Sequence, residues 1–170
     1  MWITLADERW IATDAASSNE KLVRENLLIG PAAKAHFVGL KNPSVQVEDG
    51  VAWAWQALSR IARPFDVVVL GMGDDGHTAS LFPNSPQVSQ ALDATAPAAC
   101  VAMIAPVAPQ ERISLNLAAL LDARRIVLHI SGVVKWQVYQ RALAAGPVSE
   151  FPVRGVLHQQ QVPVDVFWSP

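Results

Sequence analysis

The stretch "FDVVVLGMGDDGH", residues 65–77, gives the clearest indication of the fold. It joins an unbroken apolar run to a loop that carries glycines, two adjacent aspartates and a histidine. Such a run is typical of a strand buried on both faces of a parallel sheet. In sheets of this type, ligands bind beyond the carboxyl ends of the strands. The stretch therefore predicts a buried strand that leads directly into a functional loop.

Strand and helix patterns alternate on either side of this stretch. The predicted strands are "MWITLA", "AHFVGL", "ACVAMIA", "RISL", "RIVLHISG" and "PVDVFW", and the predicted helices are "SSNEKLVRENLL", "VEDGVAWAWQALSRI", "NLAALLDA" and "VVKWQVYQRALAA". Ser17 and Glu20 have the spacing of a capping box at the start of the first helix, and "DER" is predicted as a loop. Val51, Trp55 and Leu58 share one face of the second helix. The alternation predicts an α/β fold, with a mostly parallel sheet sandwiched by helices, in a single domain over 1–170.

Composition and charge narrow the class of protein. Apolar residues make up 51% of the chain and charged residues 16%, with 13 basic and 15 acidic side chains. This balance gives no basic field for nucleic acid. No apolar stretch is long enough to cross a bilayer, and the amino-terminal residues do not have the pattern of a signal peptide. The single cysteine, Cys100, excludes an intrachain disulfide. We expect a soluble cytoplasmic protein that contacts neither nucleic acid nor membrane.

Residues 71–76 fit the pattern G-x-G-x-x-G, which also occurs in dinucleotide-binding turns. Asp74 and Asp75 would stand where the pyrophosphate approaches and would repel it. Pro83 limits any helix that follows Gly76. No acidic residue ends a second strand at the distance that the ribose contact requires. The context therefore argues against a dinucleotide site.

A different chemistry suits this loop. A histidine there exchanges a proton near neutral pH, and a neighbouring carboxylate fixes its tautomer and stabilises the imidazolium. His77 with Asp75 is therefore a candidate general base. The alternative is a turn whose aspartates are solvated and whose histidine is incidental, and the residues alone leave both interpretations open.

Two cations follow other predicted strands. Lys135 falls in the first turn of a predicted helix, where the helix dipole disfavours a cation unless an anion binds there. Arg9 stands at the end of the first strand and could contact a phosphate. The alternatives are that Lys135 extends into water and that Arg9 pairs with Asp7 or Glu8. Together with His77, these residues suggest a general base flanked by cations for a phosphorylated substrate.

Three segments carry a family resemblance. "LGMGDDGHTASLFP" resembles the signature loop of 6-phosphogluconolactonases, "ITLADERW" with "SSNEKLVRENLL" resembles their Asp-Glu-Arg segment and the helix after it, and "ERISLNLAALLDARRIVLHISGVVKW" resembles a later segment. The resemblance implies the Rossmann-like sheet of phosphosugar isomerases and lactonases. It also implies hydrolysis of 6-phosphoglucono-1,5-lactone, in the oxidative pentose phosphate pathway, without metal or cofactor.

The resemblance also implies the site residues. His77 and Asp75 correspond to the catalytic loop residues, and Arg112 could also face the site. The implied substrate and phosphate contacts are Asp7, Arg9, Gly73, Gly76 and Lys135. The amide N–H groups near Gly73 and Gly76 are candidate donors to the oxyanion that forms on the lactone carbonyl.

One departure from the family pattern leads to further expectations. Family members begin with an additional strand and a Gly-Gly-Ser/Thr-Thr-Pro-type loop, whereas Met1 stands directly on the Asp-Glu-Arg strand. We therefore expect an amino-terminally short domain with an uncovered sheet edge, which favours a homodimer or an unstable monomer. Two alternatives to the lactonase remain: a non-catalytic or partner-dependent paralogue that binds phosphosugars or a subunit, and an amino-sugar phosphate deaminase.

Overall fold

The computed structural model describes residues 1–170. The strands are β1 (Trp2–Thr4), β2 (Asp7–Arg9), β3 (His36–Val38), β4 (Val68–Leu70), β5 (Cys100–Ile104), β6 (Glu111–Leu115), β7 (Ile126–Ser131) and β8 (Val164–Ser169). The α-helices are α1 (Asn19–Asn26), α2 (Val47–Ala57), α3 (Val88–Ala91), α4 (Leu117–Leu121), α5 (Val133–Leu143) and α6 (Arg154–Leu157). Short 3-10 helices cover Gly30–Lys34 and Leu58–Arg60.

The strands form two parallel groups and one antiparallel group. β1 pairs in parallel with β3, and β4, β7 and β8 form a parallel sheet in the order β4-β7-β8. β2, β6 and β5 form an antiparallel sheet in that order. This arrangement confirms the α/β class and the mostly parallel pairing. The prediction that "DER" is a loop is wrong, because these residues pair with Arg112–Ser114 of β6, a partner more than 100 positions away in the chain.

The core lies between the sheets and the helices. Among its fully buried side chains are Leu40, Leu58, Met103, Ile113, Leu120 and Ile126. Of the predicted inner face of α2, Leu58 is fully buried and Val51 and Trp55 are partly buried against the core, while the helix turns Val47, Gly50 and Ala54 most deeply inward. Gly50 can face inward because it has no side chain: the Trp10 ring packs so close to the helix that a Cβ at Gly50 would lie 2.2 Å from it.

One face of the β4-β7-β8 sheet is open. Val68 and Leu70 of β4 are buried, as the apolar run predicts. Val67 and Val69 point the other way and are 51% and 64% exposed, and Phe167 of β8 is 57% exposed. The prediction that "FDVVVL" is buried on both faces is therefore wrong for the face that carries Val67 and Val69.

Candidate active site

The loop after β4 is closed by its own hydrogen bonds. The Gly73 N–H donates to the His77 carbonyl at 2.9 Å, and the Gly76 N–H donates to the Gly73 carbonyl at 3.0 Å. The Thr78 hydroxyl donates to the Gly71 carbonyl at 2.8 Å. The next helix along the chain, α3, begins only at Val88. A helix does not open at the end of the glycine motif, so the argument against a dinucleotide turn is confirmed.

His77 and Asp75 form a directly bonded pair in this loop. Their Nδ1 and Oδ1 atoms are 2.6 Å apart, and the His77 amide also donates to Asp75 Oδ1 at 3.1 Å. Partial burial acts to raise the pKa of Asp75, but the hydrogen bonds from the His77 side chain and backbone outweigh it, and the pKa is lowered. A carboxylate bonded to Nδ1 holds the proton on that nitrogen and leaves Nε2 unprotonated. The pair therefore has the arrangement of an oriented general base.

The glycines of the loop allow this pair to form. A Cβ at Gly73 would lie 2.2 Å from the His77 ring, and a Cβ at Gly76 would lie 2.4 Å from Phe151. Gly76 also has a φ of +79°, which L side chains rarely adopt. The amides of Gly73 and Gly76 themselves each donate to a carbonyl of the loop, which leaves the neighbouring loop amides as the candidate donors to an oxyanion.

A polar network links β2 to the loop and to α1. Ser80 Oγ donates to Asp7 Oδ2 at 2.6 Å, and Asn19 Nδ2 donates to the Asp7 carbonyl at 2.9 Å. Burial raises the pKa of the Asp7 carboxyl, and the Ser80 hydrogen bond and the charge of Arg9 oppose that rise. Arg9 donates to Asn19 Oδ1 and forms no ion pair with Asp7 or Glu8. The ion pair considered from the sequence is therefore absent, although the Arg9 charge still acts on the buried Asp7 carboxyl.

Glu8 connects β2 to the start of α1 within this network, a role that was not predicted from the sequence. Its side chain is buried and accepts four hydrogen bonds, from the amides of Arg9, Asn19 and Glu20 and from the Ser18 hydroxyl, at 2.7–2.9 Å. Two of these amides belong to the first turn of α1, where helix N–H groups lack partners within the helix. The sequence signal for this role was the pair Ser18 and Asn19 at the start of the helix. The cap is Ser18, whose hydroxyl accepts from the Lys21 amide, so the prediction of Ser17 is wrong.

A cavity of about 330 Å³ gathers most of the predicted residues. It is bordered by β2, by the start of α1, by the end of β4 and the loop after it, and by the first turn of α5. Its polar lining consists of Asp7, Arg9, Asn19, His77 and Lys135, beside the loop glycines Gly71 and Gly73. Lys135 lies in the first turn of α5, as predicted, and forms no ion pair. The structure thus brings His77 and both cations to one cavity.

Three other predicted residues lie outside the cavity lining. Asp75 is hydrogen-bonded to His77, which lines the cavity, and Gly76 packs on Phe151. Arg112 is buried in β6, donates to the Pro109 carbonyl and lies over the Phe82 ring. A larger cavity, of about 520 Å³, lies beside β3 and α2 and contains none of the predicted site residues. None of the helices has the length and apolar composition needed to cross a membrane.

Comparison with known proteins agrees with this geometry. The sequence pattern of glucosamine-6-phosphate isomerases/6-phosphogluconolactonase matches residues 1–168. The chain is 44% identical to a 6-phosphogluconolactonase of Pseudomonas aeruginosa and 42% identical to one of Pseudomonas putida, over 99% of its own length and 69% and 68% of theirs. The crystal structure of a 6-phosphogluconolactonase from Shewanella baltica superposes with a TM-score of 0.95 at 51% identity, over 99% of this chain and 72% of that one. The chain therefore belongs to the family of glucosamine-6-phosphate isomerases and 6-phosphogluconolactonases.

Proposed function

We propose that the chain hydrolyses 6-phospho-D-glucono-1,5-lactone to 6-phospho-D-gluconate, the second step of the oxidative pentose phosphate pathway. The observation that carries the proposal is the His77–Asp75 pair at the rim of a cavity that also holds two unpaired cations, Arg9 and Lys135. Relatives at 42% and 44% identity bear the name of this activity. The buried free thiol of Cys100 suits a reducing compartment, and we place the reaction in the cytoplasm.

His77 acts on water. Its Nε2 removes a proton as the water oxygen attacks the lactone carbonyl, and a tetrahedral oxyanion forms. The intermediate collapses with cleavage of the bond between the carbonyl carbon and the ring oxygen. The proton on Nε2 then passes to the departing alkoxide, which becomes a hydroxyl group. Asp75 stabilises the imidazolium during the interval in which His77 carries both protons.

Arg9 and Lys135 bind the phosphate and orient the ring. Neither side chain forms an ion pair with a carboxylate, and both line the cavity. The first turn of α5 adds the positive end of the helix dipole beside Lys135. Fixing the dianion at a distance from the reacting carbonyl supplies the positioning part of catalysis.

The first experiment tests His77. The lactone is generated in the assay, and release of 6-phosphogluconate is followed above the spontaneous rate. Because a general base contributes about 100-fold or more, His77→Ala should lose at least that factor in kcat. His158→Ala is the matched control, since that histidine is exposed at the end of α6, outside the cavity. Equal rates for wild type and His77→Ala, or no hydrolysis by the folded wild-type chain, would contradict the proposal.

A second experiment tests the phosphate contact. Lys135→Met should raise KM by about 10-fold or more, because one charge-assisted contact to phosphate is lost, while kcat changes little. Lys34→Met, at an exposed lysine away from the cavity, should leave KM unchanged. The same KM for Lys135→Met as for wild type would remove Lys135 from the binding role.

A further inference from the structure

Gly76 stands between the two members of the His77–Asp75 pair. Its backbone dihedral angles therefore set how the Asp75 carboxylate faces the His77 ring, to which it is bonded at 2.6 Å. Gly76 has a φ of +79°, and the His77 amide turns back onto the same carboxylate oxygen at 3.1 Å. A glycine adopts positive and negative φ values about equally readily, so it does not fix this geometry by itself. Other groups must hold Gly76 in the conformation that joins the pair.

A distant segment of the chain, residues 151–153, makes these contacts. The Val153 N–H donates to the Gly76 carbonyl at 3.0 Å. The Phe151 ring lies so close to Gly76 that a Cβ added to the glycine would be 2.4 Å from Phe151 Cδ1. Phe151 is itself buried, with 6% of its surface exposed. One hydrogen bond and one packed ring therefore hold the residue that joins Asp75 to His77.

Two arginines in turn hold the Phe151 ring. The guanidinium carbons of Arg154 and Arg141 lie 4.7 Å and 4.9 Å from the ring centre, within the range of cation–π contacts. Arg154 is buried, and its guanidinium donates to the Pro147 carbonyl at 3.0 Å and to the Glu150 carboxylate at 2.6 Å. A planar guanidinium that is fixed by several hydrogen bonds is a rigid support for an aromatic ring.

We propose that Phe151 is a positioning residue for lactone hydrolysis and that Arg154 acts through it. Phe151 is not among the residues that line the cavity, so it acts on the reaction only through the Gly76 turn. Without the ring, Gly76 would be free to adopt other dihedral angles, and the Asp75 carboxylate would no longer stay on Nδ1 of His77. Nε2 would then not be kept free to accept the proton of water. The catalytic effect rests on the proposed function, whereas the hold on the His77–Asp75 pair does not.

The test compares two phenylalanines in the whole chain. Phe151→Leu removes the ring but keeps a buried apolar side chain. Phe65→Leu is the matched control, because Phe65 is also buried, at 7% exposure, and lies 3.9 Å from the Arg63 guanidinium. Phe65 precedes β4, at the end of the strand opposite the loop. Circular dichroism checks that both variants fold, and Arg154→Lys provides the test if Phe151→Leu does not.

Steady-state kinetics of lactone hydrolysis give the first readout. Phe151→Leu should lower kcat by about 10-fold, because the base is misplaced, and should change KM by less than about 2-fold, because the phosphate contacts remain. Phe65→Leu should leave kcat and KM unchanged. A wild-type kcat in Phe151→Leu, or an equal fall in kcat for both variants, would overturn the proposal.

The tautomer of the His77 ring gives a second readout, which a loss of stability alone would not change. In the wild-type chain, nitrogen NMR of the neutral ring should show the proton on Nδ1, where Asp75 accepts it. The His77 signals are identified by their loss in His77→Ala. In Phe151→Leu, the form with the proton on Nε2 should appear, whereas Phe65→Leu should keep the wild-type tautomer. An unchanged tautomer in Phe151→Leu would overturn the proposal.

Arg154→Lys tests whether this arginine acts through the ring. Lysine keeps the positive charge but lacks the planar guanidinium. The substitution should lower kcat by about 3-fold or more in the wild-type chain and cause no further loss in the Phe151→Leu variant, because the two residues act as one unit. Arg63→Lys, at the guanidinium beside Phe65, is the matched control and should leave kcat unchanged. The same loss from Arg154→Lys in both backgrounds would show that Arg154 acts independently of Phe151.

Hydrolysis by the wild-type chain separates the two proposals. A folded wild-type chain that does not hydrolyse the lactone would contradict the proposed function, and the His77 tautomer in Phe151→Leu would still show whether the ring holds the pair. Hydrolysis by wild type, with an unchanged kcat and an unchanged tautomer in Phe151→Leu, would leave the proposed function intact and overturn the positioning role.

Discussion

Replacing Glu8 by glutamine should destabilise the fold through the hydrogen bonds that start α1. The two carboxylate oxygens each accept two hydrogen bonds: Oε1 from the amides of Arg9 and Asn19, and Oε2 from the Ser18 hydroxyl and the Glu20 amide. A glutamine of the same shape keeps one oxygen and presents an NH₂ group to the other two donors.

The size of the stability loss depends on which way the new glutamine amide is oriented. With NH₂ in place of Oε2, the Ser18 hydroxyl can turn and accept, but the Glu20 amide is left without an acceptor. The opposite orientation leaves two backbone amides unpaired. An unsatisfied buried donor costs about 1–3 kcal/mol, and bonds to a charged acceptor are the stronger ones, so the expected loss is about 2–4 kcal/mol. In a chain of this size, that loss lowers Tm by about 5–15 °C.

The assay is urea unfolding followed by circular dichroism, with Glu25→Gln as the control on the same helix. Glu25 is exposed and its nearest cation, Lys21, is 3.9 Å away, so its substitution should cost less than about 0.5 kcal/mol. The urea midpoint of Glu8→Gln should fall with no change in slope. A loss below about 1 kcal/mol, or one equal to that of Glu25→Gln, would refute the argument that Glu8 satisfies these buried donors.

Three further predictions concern the loop and the core. Gly73→Ala should lower lactone hydrolysis by at least about 10-fold, because the new Cβ would lie 2.2 Å from the His77 ring and displace that side chain; an unchanged rate would contradict this. The pKa of Asp75 is lowered in the fold, so its ionised form contributes stability above the ordinary value of 3.8, and that contribution is lost as pH falls through the folded pKa. The difference in urea midpoint between wild type and Asp75→Asn should therefore be present at pH 6 and shrink toward pH 3, and a constant difference would contradict this. Burial raises the pKa of Cys100 to about 12, so iodoacetamide should leave the native thiol unmodified at pH 8 and alkylate it in urea; rapid alkylation of the native chain would show that the thiol is accessible.

Local sequence determined much of the architecture and of the site. Apolar runs and helical periodicity are properties of neighbouring residues, so they predicted the strand before the loop and the helix that places Lys135 in its first turn. The loop glycines likewise predicted a tight turn around His77. The two acidic residues before Gly76 and His77 correctly argued against a dinucleotide.

Tertiary structure decided what depends on distant partners. "DER" became a strand because β6 lies beside it, and Glu8 became the acceptor at the start of α1 because that pairing turns its side chain inward. Local patterns also could not show that the amides of Gly73 and Gly76 bond within the loop, or that one face of β4 stays open. A period of two or of 3.6 residues specifies an element and its apolar face. What that face meets is set by packing between segments far apart in the chain, and that information exists only in the folded molecule.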